Sequence, residues 1–105
     1  MTAQVVSLAR YRNGLYFEPP VLRWRGVRVS IDREASHELA AAIRETLELP
    51  GMKIALAHGF VVRSFKVVPK VLIRGFGIDV KVPRALAAEL AFALARYARR
   101  GTKNA

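Results

Sequence analysis

The chain has 105 residues, 52% of them apolar, which suits one domain (1–105) that buries a core of its own. Eighteen Lys and Arg stand against eight Asp and Glu, and the net charge of +10 points to a polyanionic partner: nucleic acid, an acidic protein or an anionic surface. The absence of cysteine excludes a disulfide framework, a thiolate metal site and a thiol nucleophile.

The first segment, Met1 to Arg10, lacks the charged start and long apolar stretch of a secretory signal. No uncharged apolar run reaches membrane-spanning length. A cytoplasmic protein with no membrane partner is therefore expected. Val5 to Tyr11 is β-branched and aromatic, and Asn13-Gly14 then gives a hairpin signal, since both residues tolerate positive φ. Leu15 to Phe17 is the return strand, stopped by Pro19-Pro20. Val21–Trp24 and Val27–Ile31 read as strands around a tight turn at Gly26.

Asp32 is placed to cap a helix over about 33–48, with Leu39, Ile43 and Leu47 as its apolar stripe and Pro50-Gly51 as its end. A short strand follows over Lys53–Ala57, then a turn at His58-Gly59 and a long β-rich run from Phe60 to Val68 ended by Pro69. Two further strands, Val71–Ile73 and Ile78–Val82, flank Gly75-Phe76-Gly77. Pro83 fits the first position of a second helix, whose stripe is Leu86, Leu90, Leu94 and Tyr97. This helix is expected to end near Arg99, with 101–105 as a frayed tail.

The two halves, about 5–50 and 53–100, resemble each other. At an offset of 51, residues 26–47 align without gaps onto 77–98, with identities at Gly26/Gly77, Val29/Val80, Arg33/Arg84, Glu38/Glu89, Leu39/Leu90, Ala40/Ala91 and Ala42/Ala93. Upstream, Pro19-Pro20-Val21-Leu22 answers Pro69-Lys70-Val71-Leu72 with a one-residue slip, and the second half carries about five extra residues before its Pro. The expected fold is α+β: two pseudo-repeated ββ(β)α halves forming a mostly antiparallel sheet with two helices on one face. The alternative is two unrelated segments sharing only a strand-to-helix pattern.

Charge differs between the halves more than framework does. Residues 1–30 carry a net of +4, 31–50 a net of −3, and 51–105 a net of +9. Alternation through Arg23-Trp24-Arg25 puts both arginines on one strand face and Trp24 on the other. Trp24 is expected in the core rather than against a base, and Arg23, Arg25 and Arg28 on the contact face. Arg63, Lys66, Lys70 and Arg74 form a second basic stretch, and Arg10 and Arg12 flank the first hairpin turn. Such hairpins would act as basic fingers on nucleic acid, or simply carry charge that suppresses edge pairing. Thirteen of the eighteen bases are Arg, the better fork for phosphate.

Phe92 lies off the apolar stripe of the second helix, beside Glu89 and the basic Arg96, Arg99 and Arg100. It marks a docking point for a protein partner or a homodimer, or a helix buried on two sides. The acidic face of the first helix either pairs with the second helix or is merely solvated. His37 and His58 assemble no metal-ligand set, Ser64 and Asp79 form no visible triad, and Gly75-Phe76-Gly77 lacks the Lys-Ser/Thr end of a phosphate loop. No cofactor, catalytic residue or small-molecule substrate is expected. The leading expectation is a non-enzymatic nucleic-acid-binding protein, DNA or RNA, acting through arginine–phosphate contacts. The other is a small inhibitor or adaptor, of the type phages and mobile elements encode, that binds a host protein or nucleoprotein complex.

Overall fold

The computed structural model describes the backbone of residues 6–7 and 14–103 and the side chains of residues 14–15 and 17–99. Strands β1 (Val6–Ser7), β2 (Leu15–Glu18), β3 (Val21–Trp24) and β4 (Val27–Ser30) lead into helix α1 (Arg33–Glu48). Strands β5 (Lys53–Ala55), β6 (Val61–Ser64), β7 (Lys70–Gly75) and β8 (Ile78–Pro83) lead into α2 (Arg84–Lys103). Each set of four strands is an antiparallel sheet in chain order. The fold is the expected α+β, with the same order of elements in each half.

Two features differ from expectation. Each half contributes four strands at the segments expected from the chain, but the strands form two sheets instead of one. The chain leaves β4 through α1, which crosses to lie against β5, β6 and β7, so β5 starts a new ladder rather than extending the β4 edge. The β-rich run from Phe60 also divides. It forms a strand only over Val61–Ser64, because β7 pairs with that segment alone and the chain from Phe65 to Pro69 has no partner strand. This loop holds the extra residues of the second half; the equivalent link in the first half is Pro19-Pro20.

The repeat is explicit in the backbone. Arg25-Gly26 joins β3 to β4 and Phe76-Gly77 joins β7 to β8, at the same offset of 51, and all four residues have positive φ (47°, 84°, 53° and 92°). Glycine at the second position of each turn adopts this backbone without steric cost. Helices α1 and α2 start at Arg33 and Arg84, again 51 apart. Asp32 caps α1, its Oδ1 accepting from Ala35 N at 2.8 Å. Pro83 ends β8 and sits one place before α2, rather than in its first turn as expected. Helix α2 also runs past Arg99 to Lys103, where cationic residues favour the helix C-terminus. Only residues 104–105 of the proposed tail, together with most of the first hairpin, including Arg10, Arg12 and Asn13, lie outside the described residues.

The helices run antiparallel, and the repeated arginines show it. Arg33 at the start of α1 places its guanidinium 4.7 Å from the ring centroid of Tyr97, late in α2. Arg84 at the start of α2 donates from Nη2 to the carbonyl of Leu47, late in α1. Between them, the buried Ser36 Oγ donates to Leu94 O at 2.7 Å. The interface itself is apolar, with Leu39, Ile43, Leu90 and Leu94 fully buried. These join Leu15, Phe17 and Leu22 of the first sheet and Val62, Ile73 and Val82 of the second in one core. The acidic residues Glu34, Glu45 and Glu48 face outward. Among the described residues no helix is long and apolar enough to cross a membrane.

Candidate functional site

Alternation on the second sheet sends Val62, Ser64, Val71, Ile73, Ile78, Val80 and Val82 inward, and their neighbours outward. Strand pairing then sets the outward side chains in rows. Lys53, Arg63, Leu72 and Lys81 form one row across all four strands. Ala55, Val61, Arg74 and Asp79 form the next, and Lys70 faces Pro83 beyond the first. Adjacent strands are about 4.8 Å apart, so Arg63 and Lys81 stand roughly 10 Å apart with Leu72 between them.

A cleft of about 800 Å³ opens over this face. Its cations are Arg25, Arg63, Lys70, Arg74 and Lys81, and its single acid is Asp79. Arg74 Nε lies 3.5 Å from Asp79 Oδ1, with both side chains more than half exposed, so the pair is weak and the cleft keeps a net positive charge. Two aromatic rings sit among the cations. Phe65, at the start of the β6–β7 loop, has the Arg63 guanidinium 5.2 Å and the Lys81 ammonium 5.5 Å from its centroid. Trp24 has the Arg25 guanidinium at 5.2 Å. Each is a cation–π contact that holds a flexible charge against a fixed ring.

Trp24 and Arg25 come from the other half. The two hairpin tips meet: a Cβ on Gly77 would lie 3.4 Å from Val27 Cγ1. The β3–β4 tip thereby overhangs the second sheet. The pseudo-symmetry repeats the arrangement. A second cleft, of about 400 Å³, is lined by Arg28, Val29, Ser30 and Asp32, the counterparts of Asp79, Val80, Lys81 and Pro83, and by Phe76, the counterpart of Arg25. Its chemistry has diverged. Phe60 and Phe76 stack edge-on at 5.1 Å, His58 lies against Phe60, and Arg28 is its one Lys or Arg. One scaffold carries a basic cleft and an aromatic one.

The residues singled out from sequence are therefore distributed over several surfaces. Arg25, Arg63, Lys70 and Arg74 line the basic cleft. Arg25 does not share a strand face with Arg23, because β3 ends at Trp24 and Arg25 turns to positive φ. Arg23 instead stands opposite Arg28 on the outer face of the first sheet, 3.9 Å from Glu18. The stem of Lys66 lies over Gly51, away from the cleft. Of the residues expected on basic fingers, Arg63, Lys70 and Arg74 lie on strands and Lys66 in the loop between β6 and β7, while Arg10 and Arg12 lie outside the described residues. Trp24 is half-buried against the core, as expected, and also edges the cleft.

Lys81 and Phe65 were not anticipated. The outward position of Lys81 follows from Ile78-Val80-Val82 alternation, but its place beside Arg63 needs the register. Phe65 reads as one more apolar residue of a strand. On α2, Phe92 is 48% exposed, with Arg96 and Arg99 exposed nearby; the side chain of Arg100 lies outside the described residues. Ser64 is committed structurally: its buried Oγ accepts from Gly51 N and donates to Leu49 O, each at 3.1 Å. His58 Nε2 lies 3.4 Å from Glu38, and among the described residues no group of three or more His, Asp or Glu could hold a metal ion. The site is thus a basic, aromatic-lined sheet face on an α+β protein whose two halves repeat the same order of elements. No family model, curated protein or solved structure matches the chain.

Proposed function

We propose that the protein is a non-enzymatic nucleic-acid-binding protein, acting in the cytoplasm, whose contact surface is the outer face of the second sheet and the hairpin tip that overhangs it. The observation that carries this reading is the gathering of Arg25, Arg63, Lys70, Arg74 and Lys81 in one cleft with Asp79 as the sole acid. Cations spaced by strand pairing match a chain of phosphates better than a single anion, and Arg adds two-pronged hydrogen bonding. The acids of α1 lie outside this cleft, so the field is one-sided where the ligand would lie.

Titration of labelled DNA and RNA at several salt concentrations tests it. Neutralising about five phosphates predicts that log K falls against log salt with a slope of roughly −3.5 to −4.5. Absence of binding at low salt would overturn the reading. A second reading, a protein-binding inhibitor or adaptor, is favoured by the half-exposed Phe92 ring on the outer side of α2. It places the contact on the helix layer rather than on the sheet, so the two readings differ in which surface a partner covers.

A further inference from the structure

We infer that the nucleic acid taken by the basic cleft is single-stranded, with a base laid against Phe65 and the neighbouring phosphates held by Arg63 and Lys81. This rests on the nucleic-acid reading above and narrows it. Direct reading of duplex DNA uses an element narrow enough to enter the major groove, a helix or a two-stranded ribbon. Here Arg63, Arg74 and Lys81 lie on the broad face of a four-stranded sheet, which offers no such projection. Neither helix lines this cleft: α1 presents Glu34, Glu45 and Glu48 to solvent, and the exposed Arg96 and Arg99 of α2 lie outside it.

The rings supply the second argument. A surface that only counts phosphates needs no aromatic side chain among its cations. Phe65 is half-buried between Arg63 and Lys81, and Trp24 borders the same cleft with Arg25 across its face. Bases inside a duplex are stacked on each other and cannot reach such rings, whereas an unpaired strand turns its bases outward. A positively charged groove with aromatic platforms is the arrangement that holds single strands with little sequence preference. The cations already in contact with the Phe65 ring would then grip the backbone on either side of the stacked base.

Phe65 has a competing, purely structural role as a cover for Leu72, which points to the outer face yet is only 8% exposed. Two variants separate the roles. Phe65→Leu keeps an apolar cover and removes the ring; Phe65→Tyr keeps the ring. The probes are labelled homopyrimidine DNA and RNA oligonucleotides and a hairpin duplex of equal phosphate number. The wild-type protein should bind a single strand at least about tenfold more tightly than the duplex. Phe65→Leu should weaken single-strand binding by between about fivefold and a hundredfold with the salt slope unchanged, and Phe65→Tyr should stay within about twofold. Trp24 is the sole tryptophan, so its fluorescence should change on binding of an unlabelled single strand, independently of any variant. Duplex binding as tight as single-strand binding would overturn the inference, as would unchanged single-strand affinity in Phe65→Leu. Either result leaves the nucleic-acid reading standing; only failure to bind every probe removes both.

Discussion

Reversing three charges in the basic cleft, with Arg63→Glu, Lys70→Glu and Lys81→Glu combined, should lower nucleic-acid affinity by at least about a hundredfold at moderate salt. Each lost phosphate contact should flatten the salt slope by about one. All three side chains are exposed, so the fold should survive the change. Net charge alone also falls, from +10 to +4, and a control must match it. Arg23→Glu, Arg28→Glu and Lys66→Glu together make the same change in total charge, on surfaces outside the basic cleft. The control should lose less than about tenfold, through the weakened long-range field. Equal losses in the two variants would mean that binding follows overall charge and that the cleft is not a site.

The second large effect concerns the helix pair that fixes the two halves against each other. Leu39 and Leu90 are identical residues at the repeat offset, and both are fully buried in the α1–α2 interface and core. Leu→Ala at either position should cost about 2–5 kcal/mol, the lost burial plus the cavity left behind. A domain of this size has roughly 5–15 kcal/mol in total, so each single variant should unfold at markedly lower denaturant and the double variant should fail to fold. Because the two leucines occupy equivalent places, the two single costs should agree within about 1 kcal/mol. Urea unfolding followed by circular dichroism measures both. A cost below about 1 kcal/mol at either site would contradict full burial of that leucine between the helices.

Much of the framework was legible in the chain because it depends on local pattern. The Asp32 cap, the Leu39-Ile43-Leu47 stripe and the Arg-Gly and Phe-Gly turns each state their conformation within a few residues. The offset of 51 then links the two halves without any structure, and the common start of α1 and α2 follows from it. The number of sheets was not legible. It depends on α1 crossing to the other half, and nothing within Arg33–Glu48 records which sheet its buried face will meet.

The candidate site was legible only as charge. Arg63, Lys70 and Arg74 stand out in the sequence, but Lys81 joins them only through the pairing of β7 with β8. Phe65 looks like the continuation of a strand until β6 stops at Ser64. Arg25 appears to share a face with Arg23, and the turn that separates them is a property of two consecutive positive-φ residues. Above all, the cleft is built across the halves, with a hairpin tip of the first closing over a sheet of the second. The repeated frame also yields the second cleft, where Phe76 stands in place of Arg25 and Ser30 in place of Lys81, and Arg28 and Asp32 together leave no excess of positive charge. The proposed function rests on the difference between equivalent positions rather than on the shared frame.

The most direct measurement is a map of backbone amide shifts as a single-stranded oligonucleotide is added to the isotopically labelled protein. Binding in the basic cleft should confine the perturbations to β6, β7, β8, the Phe65–Pro69 loop and the Trp24–Gly26 tip, with α1 unaffected. Perturbations centred instead on the outer side of α2 around Phe92, or spread evenly over every basic surface, would contradict it.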